Sequence, residues 1–301
     1  MRVNQAILCL AAILTLGRPL GAETPPPTYT VNLSRTEKVG DRYHLIARST
    51  AVTDGVYSMA RVKDKSRREE IIDLDGTVTV RKIDSHGQGT WLECLINKLR
   101  VSEGSFTRDI LPPGTVLNTQ MSPLAGAKYQ RFVTIDQKQL EGDIAEMISR
   151  VFDAKMPDAP TEQEIFGSNS PQLIGSTWAL NRQRGVQYWA SLSMAVEPRD
   201  FSGKSRLIDI EKLGTVECFR IEGSMKATNY KSTVDARVKT ERGSTSMKYT
   251  FIVPREKSLR RKSTIETHND FSEKGVDDGG RGFRREMVED ITQEITIEPT
   301  K

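Results

Sequence analysis

The chain has 301 residues, of which 37% are hydrophobic, 6% aromatic and 28% charged, with 44 lysines and arginines against 40 aspartates and glutamates. This near-neutral balance argues against a nucleic-acid-binding protein, which needs a clustered basic excess. The modest apolar share argues against a deeply layered α/β enzyme and favours antiparallel sheets with one face in water.

The first 22 residues have the features of a cleaved secretory signal. Arg2 supplies a positive charge, residues 6–16 form a short apolar run, and residues 20–22 end in the small side chains that a signal peptidase needs. A lipid anchor on Cys9 is an alternative, but Cys9 lies near the middle of the run instead of at its end. The run is shorter than the about 20 apolar residues of a membrane-spanning helix. The sequence therefore predicts a periplasmic or secreted protein without a transmembrane segment.

Strand signals dominate the rest of the chain. At Tyr29–Leu33 the side chains alternate between apolar and polar, as in a half-buried strand. The later candidates are residues 77–83, 89–101, 186–196, 215–224, 244–253, 261–267 and 282–297. Turn residues separate many of them, so the sequence predicts a mainly β fold.

One segment follows the helical period instead. Six apolar residues at helical spacing share one face of a helix predicted near residues 137–153, with Asp136 and Gln139 as its capping start. These are Leu140, Ile144, Met147, Ile148, Val151 and Phe152. The helix either packs this face on a sheet or forms a lid over an apolar cavity. In the second case these six residues are the predicted ligand-binding residues.

The predicted organisation is two β-rich halves, residues 28–153 and 172–298. The segment 154–171 contains three prolines and a Gly-Ser-Asn-Ser run, which is typical of a linker. We therefore expect two related curved antiparallel β-sheet halves with one amphipathic helix between them.

Three similarities between the halves predict an internal duplication. Residues 39–43 and 174–178 each place a glycine before a strand that starts with an aromatic residue. Residues 43–52 resemble residues 188–196 with one gap, and residues 89–94 resemble residues 214–218 with an offset of one. The alternative is chance similarity between strands of like composition.

Two cysteines remain after removal of the signal, Cys94 and Cys218, at matching places in the proposed repeat. An oxidising compartment favours a disulfide between them. The alternative is two small buried side chains, because a sequence does not reveal the separation of their Cα atoms.

The sequence contains no motif that indicates a particular reaction. The three histidines, His44, His86 and His268, are far apart and lack metal-ligand spacing, and no G-x-S-x-G or dinucleotide loop occurs. We therefore expect no metal, no cofactor and no catalytic residue. The strongest charge feature is a basic run, which fits either an anionic lipid or polysaccharide surface or a solvated sheet edge. Its members are Arg255, Lys257, Arg260, Arg261 and Lys262, extended by Arg281, Arg284 and Arg285.

The signal peptide, the repeated glycine–aromatic openings and the single helix between β-rich halves resemble a group of uncharacterised exported bacterial β-rich proteins. The layout is also distantly similar to periplasmic lipoprotein carriers, whose curved antiparallel sheet holds an acyl chain under helices. This resemblance implies a non-catalytic protein that binds an apolar or lipidic ligand, or an envelope protein, on the concave face of a sheet. Two alternatives remain: a secreted hydrolase that combines His86 or His268 with nearby carboxylates, and a purely structural interaction module.

Overall fold

The computed structural model describes residues 26–300, except 35, 60, 61, 125–127, 137, 141, 234–236, 257 and 278. The predicted signal peptide and Cys9 lie outside the described residues. The strands are β1 Arg42–Met59, β2 Val62–Ile83, β3 Gly89–Glu103, β4 Phe106–Leu111, β5 Val116–Leu124, β6 Lys128–Ile135, β7 Lys138–Leu140, β8 Thr177–Ala179, β9 Met194–Ala195, β10 Phe201–Leu213, β11 Val216–Thr228, β12 Lys231–Ser232, β13 Val238–Pro254, β14 Arg261–Val276 and β15 Gly282–Pro299. The helices are α1 Asp143–Ser149, α2 Glu162–Phe166 and α3 Arg182–Ser191, with a 3-10 turn at Pro198–Asp200.

Thirteen of the described strands build an antiparallel sheet in the order β7-β6-β5-β3-β2-β1-β15-β14-β13-β11-β10-β8, with β4 also paired to β3. The other two, β9 and β12, form a separate antiparallel pair. The mainly β prediction is confirmed. The two halves, however, share this sheet, because β1 and β15 pair over 17 positions from Tyr43↔Pro299 to Met59↔Phe283.

One face of the sheet is buried and the other is open, because side chains alternate along each strand. On β1, Tyr43, Leu45, Ala47, Ser49 and Ala51 are buried, and the residues between them are exposed or half-buried. The buried face carries two hydrophobic clusters. One lies under α1 and the residues after it, and the other lies under α2, α3 and the extended segment at Val31 and Leu33. The three helices of the described residues therefore lie on the same side of the sheet.

The helix predicted over residues 137–153 is shorter in the structure. Lys138–Leu140 forms β7, and α1 spans only Asp143–Ser149. Gly142, at φ 69° and ψ −151°, is the residue before the helix, and this left-handed backbone conformation cannot be part of a right-handed helix. The predicted Asp136 cap instead forms the turn after β6, also at positive φ.

Two helices lie where the sequence predicted none. The proposed linker contains α2, which starts with a capping box between Thr161 and Glu164 and buries Ile165 and Phe166. The strand predicted over residues 186–196 is largely α3, whose Asn181 side chain caps the helix by accepting from Arg184 N. Tertiary packing overrides the β-branched and aromatic signal there. Residues 188–196 are therefore not the structural equivalent of strand residues 43–52.

Six other predicted strands are confirmed, and β5, β6 and β10 lie where no strand was predicted. The strands predicted at residues 77–83, 89–101, 244–253, 261–267 and 282–297 lie within β2, β3, β13, β14 and β15, and the one at 215–224 overlaps β11. Tyr29–Leu33 alternates in burial as predicted, but it makes only an isolated bridge between Tyr29 and Gln172. Gly40 and Gly175 both adopt positive φ, at 92° and 86°, so both glycine openings are turns.

The structure leaves Cys94 and Cys218 as free, buried thiols, so the predicted disulfide is not formed. Cys94 lies on β3 and Cys218 on β11, with β2, β1, β15, β14 and β13 between them in the sheet. Burial raises the pKa of the Cys94 thiol to about 12. The two cysteines do not occupy equivalent places in the two halves, because β3 is the third long strand of its half and β11 is the second.

Candidate functional site

A groove of about 530 Å³ lies on the open face of the second half, where β8, β10, β11, β13 and β14 form its floor. This volume is in the range of small-molecule binding pockets, about 300–1,000 Å³. The lining residues are Thr177, Lys204, Ser205, Arg206, Ile208, Glu222, Gly223, Ser224, Lys248, Tyr249, Thr250, Thr264 and Glu266.

Strand register brings these residues together in two rows. In the first row Lys204, Ser224, Lys248 and Glu266 lie side by side on four consecutive strands. In the second row the neighbours are Thr177, Arg206, Glu222, Thr250 and Thr264. The rows are two residues apart along every strand, so both face the same side of the sheet. Nine polar or charged side chains thus converge from five strands.

The charges of the groove are unequal. Lys204, Arg206 and Lys248 supply three cations, and Glu222 and Glu266 supply two carboxylates. Glu222 also accepts hydrogen bonds from Arg220, at 2.7 Å from Nη2 and 3.1 Å from Nε. This contact raises the pKa of Arg220 and offsets the Glu222 charge. The groove therefore favours negatively charged groups.

The sheet beneath the groove is held by a buried polar cluster. The Ser205 hydroxyl donates to Phe166 O at 2.8 Å and lies 2.6 Å from the Tyr249 hydroxyl, which donates to Lys204 O at 3.2 Å. A Cβ at Gly223 would lie 2.1 Å from Tyr249 Oη, so only glycine leaves room for this phenol. Burial raises the pKa of Tyr249 far above its usual range. The phenol is therefore neutral, and this cluster fixes the floor without supplying a base.

The predicted ligand-binding face lies in the other half. Met147, Ile148, Val151 and Phe152 are buried in the first cluster, Leu140 packs against that cluster, and Ile144 is 37% exposed. None of the six lines the groove. The structure therefore places most of this face against the sheet, and its proposed contact with a ligand stays a prediction.

The histidines are dispersed. His44 Nε2 lies 2.9 Å from Asp75 Oδ1, and His268 Nδ1 lies 2.7 Å from Asp290 Oδ1. Burial opposes ionisation of Asp75, but hydrogen bonds from His44 and Asn97 bring its pKa below the usual value. His44 pairs with Glu298 and His268 with Asp290 on the same strand, eight residues or about 27 Å apart. His268 lies within β14.

His86 occupies the turn between β2 and β3, and its Nδ1 is 3.9 Å from Asp84 Oδ2. Among the described residues no group of three His, Cys, Asp or Glu side chains is placed to hold a metal ion.

The basic run is largely engaged in packing. Arg261 is 8% exposed, pairs with Glu162 and lies 4.9 Å from the centre of the Phe251 ring. Arg255 pairs with Glu217 and lies over Tyr29 at 5.5 Å. The small cavity of about 60 Å³ beside them is thus bordered by arginines that already have acceptors. Lys257 lies outside the described residues.

The groove residues carry no contiguous sequence motif. Their one local signal is period-two spacing, as in Lys204, Arg206 and Ile208, and every exposed strand face has that spacing. Which strands are neighbours depends on long-range register, so sequence analysis missed the site.

No protein-family model matches this chain, and no curated protein sequence matches it. Among solved structures, the Pseudomonas aeruginosa protein OccK11 (OpdR) aligns with 89% of this chain and 100% of its own, at 8% identity and a TM-score of 0.21. Pseudomonas aeruginosa OccK2 (OpdF), solved in complex with glucuronate, aligns over the same shares at 8% identity and a TM-score of 0.17. Values this low support no inference about fold or function. None of the helices in the described part of the chain has the length and apolar character needed to cross a membrane.

Proposed function

We propose that this chain is an exported, non-catalytic binding protein that holds an extended anionic partner from the cell envelope in the open groove of its sheet. The observation that carries the proposal is the convergence of Lys204, Arg206 and Lys248 in one groove of about 530 Å³. The polar lining favours a partner with carboxylate or phosphate groups over an acyl chain, since an acyl chain gains little from polar surfaces.

The dispersion of the histidines favours this function over the hydrolase alternative. General acid–base catalysis needs groups within hydrogen-bond reach of one substrate atom. The described His–Asp pairs lie on different strands and do not line the groove. The concavity of the groove distinguishes it from the flat surface that a purely structural module would present.

Native mass spectrometry of the exported protein, purified without reductant, tests the proposal. We expect a bound anionic mass in the wild type that is lost in the double variant Lys204→Glu/Lys248→Glu. Lys212→Glu is the matched control, because Lys212 is exposed on β10 and does not line the groove.

Two results would count against the proposal. A co-purifying lipid that survives the double substitution would favour the carrier alternative and the face of α1. A wild-type protein without any bound mass would favour an interaction module.

A further inference from the structure

The central strands run well beyond both hydrophobic clusters. Ala51 is the last buried apolar residue of β1, and the strand continues for eight more residues, about 27 Å, to Met59. We call residues 55–59, 62–66, 237–243, 271–277 and 279–287 the projecting end. Its inner boundary is the cross-strand row of Gly55, Ser66, Met287, Phe271 and Gly243. None of these residues is a buried member of either cluster, and Phe271, at the inner boundary, packs against the second cluster.

The tip of the projecting end exposes apolar side chains. Val62 is 67% exposed, Val276 43% and Tyr57 40%. The Tyr57 ring stacks on Phe283 with centroids 5.7 Å apart, and Met59 pairs with both Val62 and Phe283. Clustered exposed apolar residues of this kind mark interaction sites.

The charge of the projecting end differs from that of the rest of the chain. Its residues include nine lysines and arginines and five aspartates and glutamates, an excess of four positive charges. Residues 23–301 as a whole have 42 against 40, so the remainder has 33 against 35, an excess of two negative charges. The positive charge is thus concentrated at the end that carries the exposed apolar tip.

Part of this positive charge is structural and part is available. Arg285 pairs with Glu273 at 2.6 Å, and Lys274 and Arg284 both pair with Glu241, at 2.9 and 3.1 Å. Exposed Lys63, Lys65 and Lys239, by contrast, make no ion pair within the part of the chain that the structure describes. Lys63 directly follows Val62, and Lys239 lies on β13 next to the Gly275–Val276 end of β14.

We propose that the projecting end docks on an anionic membrane surface. The apolar tip residues would enter the headgroup region, where tyrosine is enriched, and the free lysines would lie against the lipid phosphates. An apolar tip surrounded by cations is complementary to such a surface, because binding there adds apolar burial to attraction by anionic lipids. The helices and the groove would stay clear of the membrane, since neither contains a residue of the projecting end.

Co-sedimentation of the exported full-length protein with vesicles tests this proposal. The vesicles contain either phosphatidylcholine alone or phosphatidylcholine with 30% phosphatidylglycerol (about a third anionic lipid). We expect binding to the anionic vesicles alone, weakened in 0.5 M salt (on the order of a 4 Å Debye length). Lys63→Glu/Lys65→Glu should lower the partition coefficient at least about tenfold, and Val62→Ser/Val276→Ser at least about threefold.

Two controls separate docking from bulk charge and from unfolding. The groove variant Lys204→Glu/Lys248→Glu has the same change in net charge and should bind vesicles like the wild type. Phe106→Ser removes an apolar side chain that is 62% exposed outside the projecting end, and it should also bind normally. Each variant is compared by circular dichroism and thermal melting, so that a loss of fold is not read as a loss of binding.

The proposal is overturned if the wild type does not sediment with anionic vesicles, or if both lysine pairs have the same effect. It is also overturned if the protein is a dimer that Val62→Ser/Val276→Ser dissociates, because the tip would then contact a second copy. These results leave the groove proposal unaffected, since the groove is tested by a different variant and a different measurement.

Discussion

Gly185 sets how closely α3 approaches the sheet. It is a buried helical residue, and a Cβ there would lie 2.1 Å from Cζ of Phe201 on β10. The Phe201 ring is itself 2% exposed, so it has little room to move. Glycine is unfavourable inside a helix, and its presence here is explained by this contact with the ring.

Gly185→Ala should therefore lower the free energy of unfolding by about 1–3 kcal/mol, because overpacking outweighs the gain in helix propensity. On an open helix face the same change would stabilise the protein by about 1 kcal/mol, so the sign of the change in unfolding free energy distinguishes the two cases. Urea unfolding measures the effect. Gln183→Ala, at an exposed position of α3, is the control and should change stability by less than about 0.5 kcal/mol. Stabilisation by Gly185→Ala would contradict the close packing of α3 on Phe201.

Asp153 is a carboxyl group whose pKa is raised clearly above its usual value by the fold. Its Oδ2 pairs with Arg131 Nη2 at 2.6 Å, and its Oδ1 is buried without a hydrogen-bond partner among the described residues. Burial raises the pKa of Asp153 to about 6, and attraction to Arg131 and Lys155 offsets only part of this rise. The folded protein therefore holds this proton more tightly than the unfolded chain does.

The pH dependence follows from that difference. Between about pH 4 and pH 6 the native state binds more protons, so the contribution of Asp153 to stability falls as the pH rises and is constant above the folded pKa. We expect the difference in unfolding free energy between wild type and Asp153→Asn to shift in that direction across the window, measured by urea unfolding at pH 4, 5, 6 and 7. A shift in the opposite direction would mean that the pair with Arg131 lowers the pKa.

The sequence predicted the buried face of α1 correctly and its length wrongly. The apolar stripe after residue 143 does pack on the sheet, and Ile148 is fully buried. Arg150, just after the helix, reinforces this docking, because its Nη1 lies 3.0 Å from the buried carboxylate of Glu70 and its carbonyl accepts from Gln293.

Two isoleucines of α1 allow a matched test of this arrangement. Ile148→Ala should cost about 2–4 kcal/mol of unfolding free energy, because it leaves a cavity in the first cluster. Ile144→Ala should cost less than about 1 kcal/mol, since Ile144 is 37% exposed. The urea midpoints of both variants provide the comparison. Equal costs would mean that α1 buries both residues and lies differently on the sheet.

The molecule as a whole is organised by the pairing of β1 with β15. This contact spans 17 paired positions and joins the two hydrophobic clusters through one continuous sheet. Without its partner, either half would expose a long strand edge, and such edges promote aggregation. We therefore expect the halves to unfold together.

The variant Cys218→Ala provides two probes of this cooperativity in one protein. Its remaining buried thiol, Cys94, reports on the first half through its reaction with a thiol reagent. In a Trp91→Phe background, which removes the tryptophan of the first half, Trp178 and buried Trp189 report on the second half through fluorescence. The two urea midpoints should coincide, as in a two-state transition. Cys94→Ala is the control. Its remaining buried thiol, Cys218, and buried Trp189 both belong to the second half, so their urea midpoints should coincide whether or not the halves unfold together. Separate midpoints in Cys218→Ala would show two independent domains.

Local alternation of side chains was enough to predict β2, β3, β11, β13, β14 and β15, the mainly β class and the one-sided burial, because the period of two is a property of each strand alone. The helical stripe at Met147, Ile148, Val151 and Phe152 was also readable, since its spacing needs no partner. The length of α1, by contrast, depended on the backbone at Gly142, and α2 and α3 depended on packing against distant strands. The free cysteines and the groove of Lys204, Arg206 and Lys248 depended on which strands are neighbours and in what register. Register is set by contacts between residues far apart in the chain, so only the folded sheet brings these side chains together.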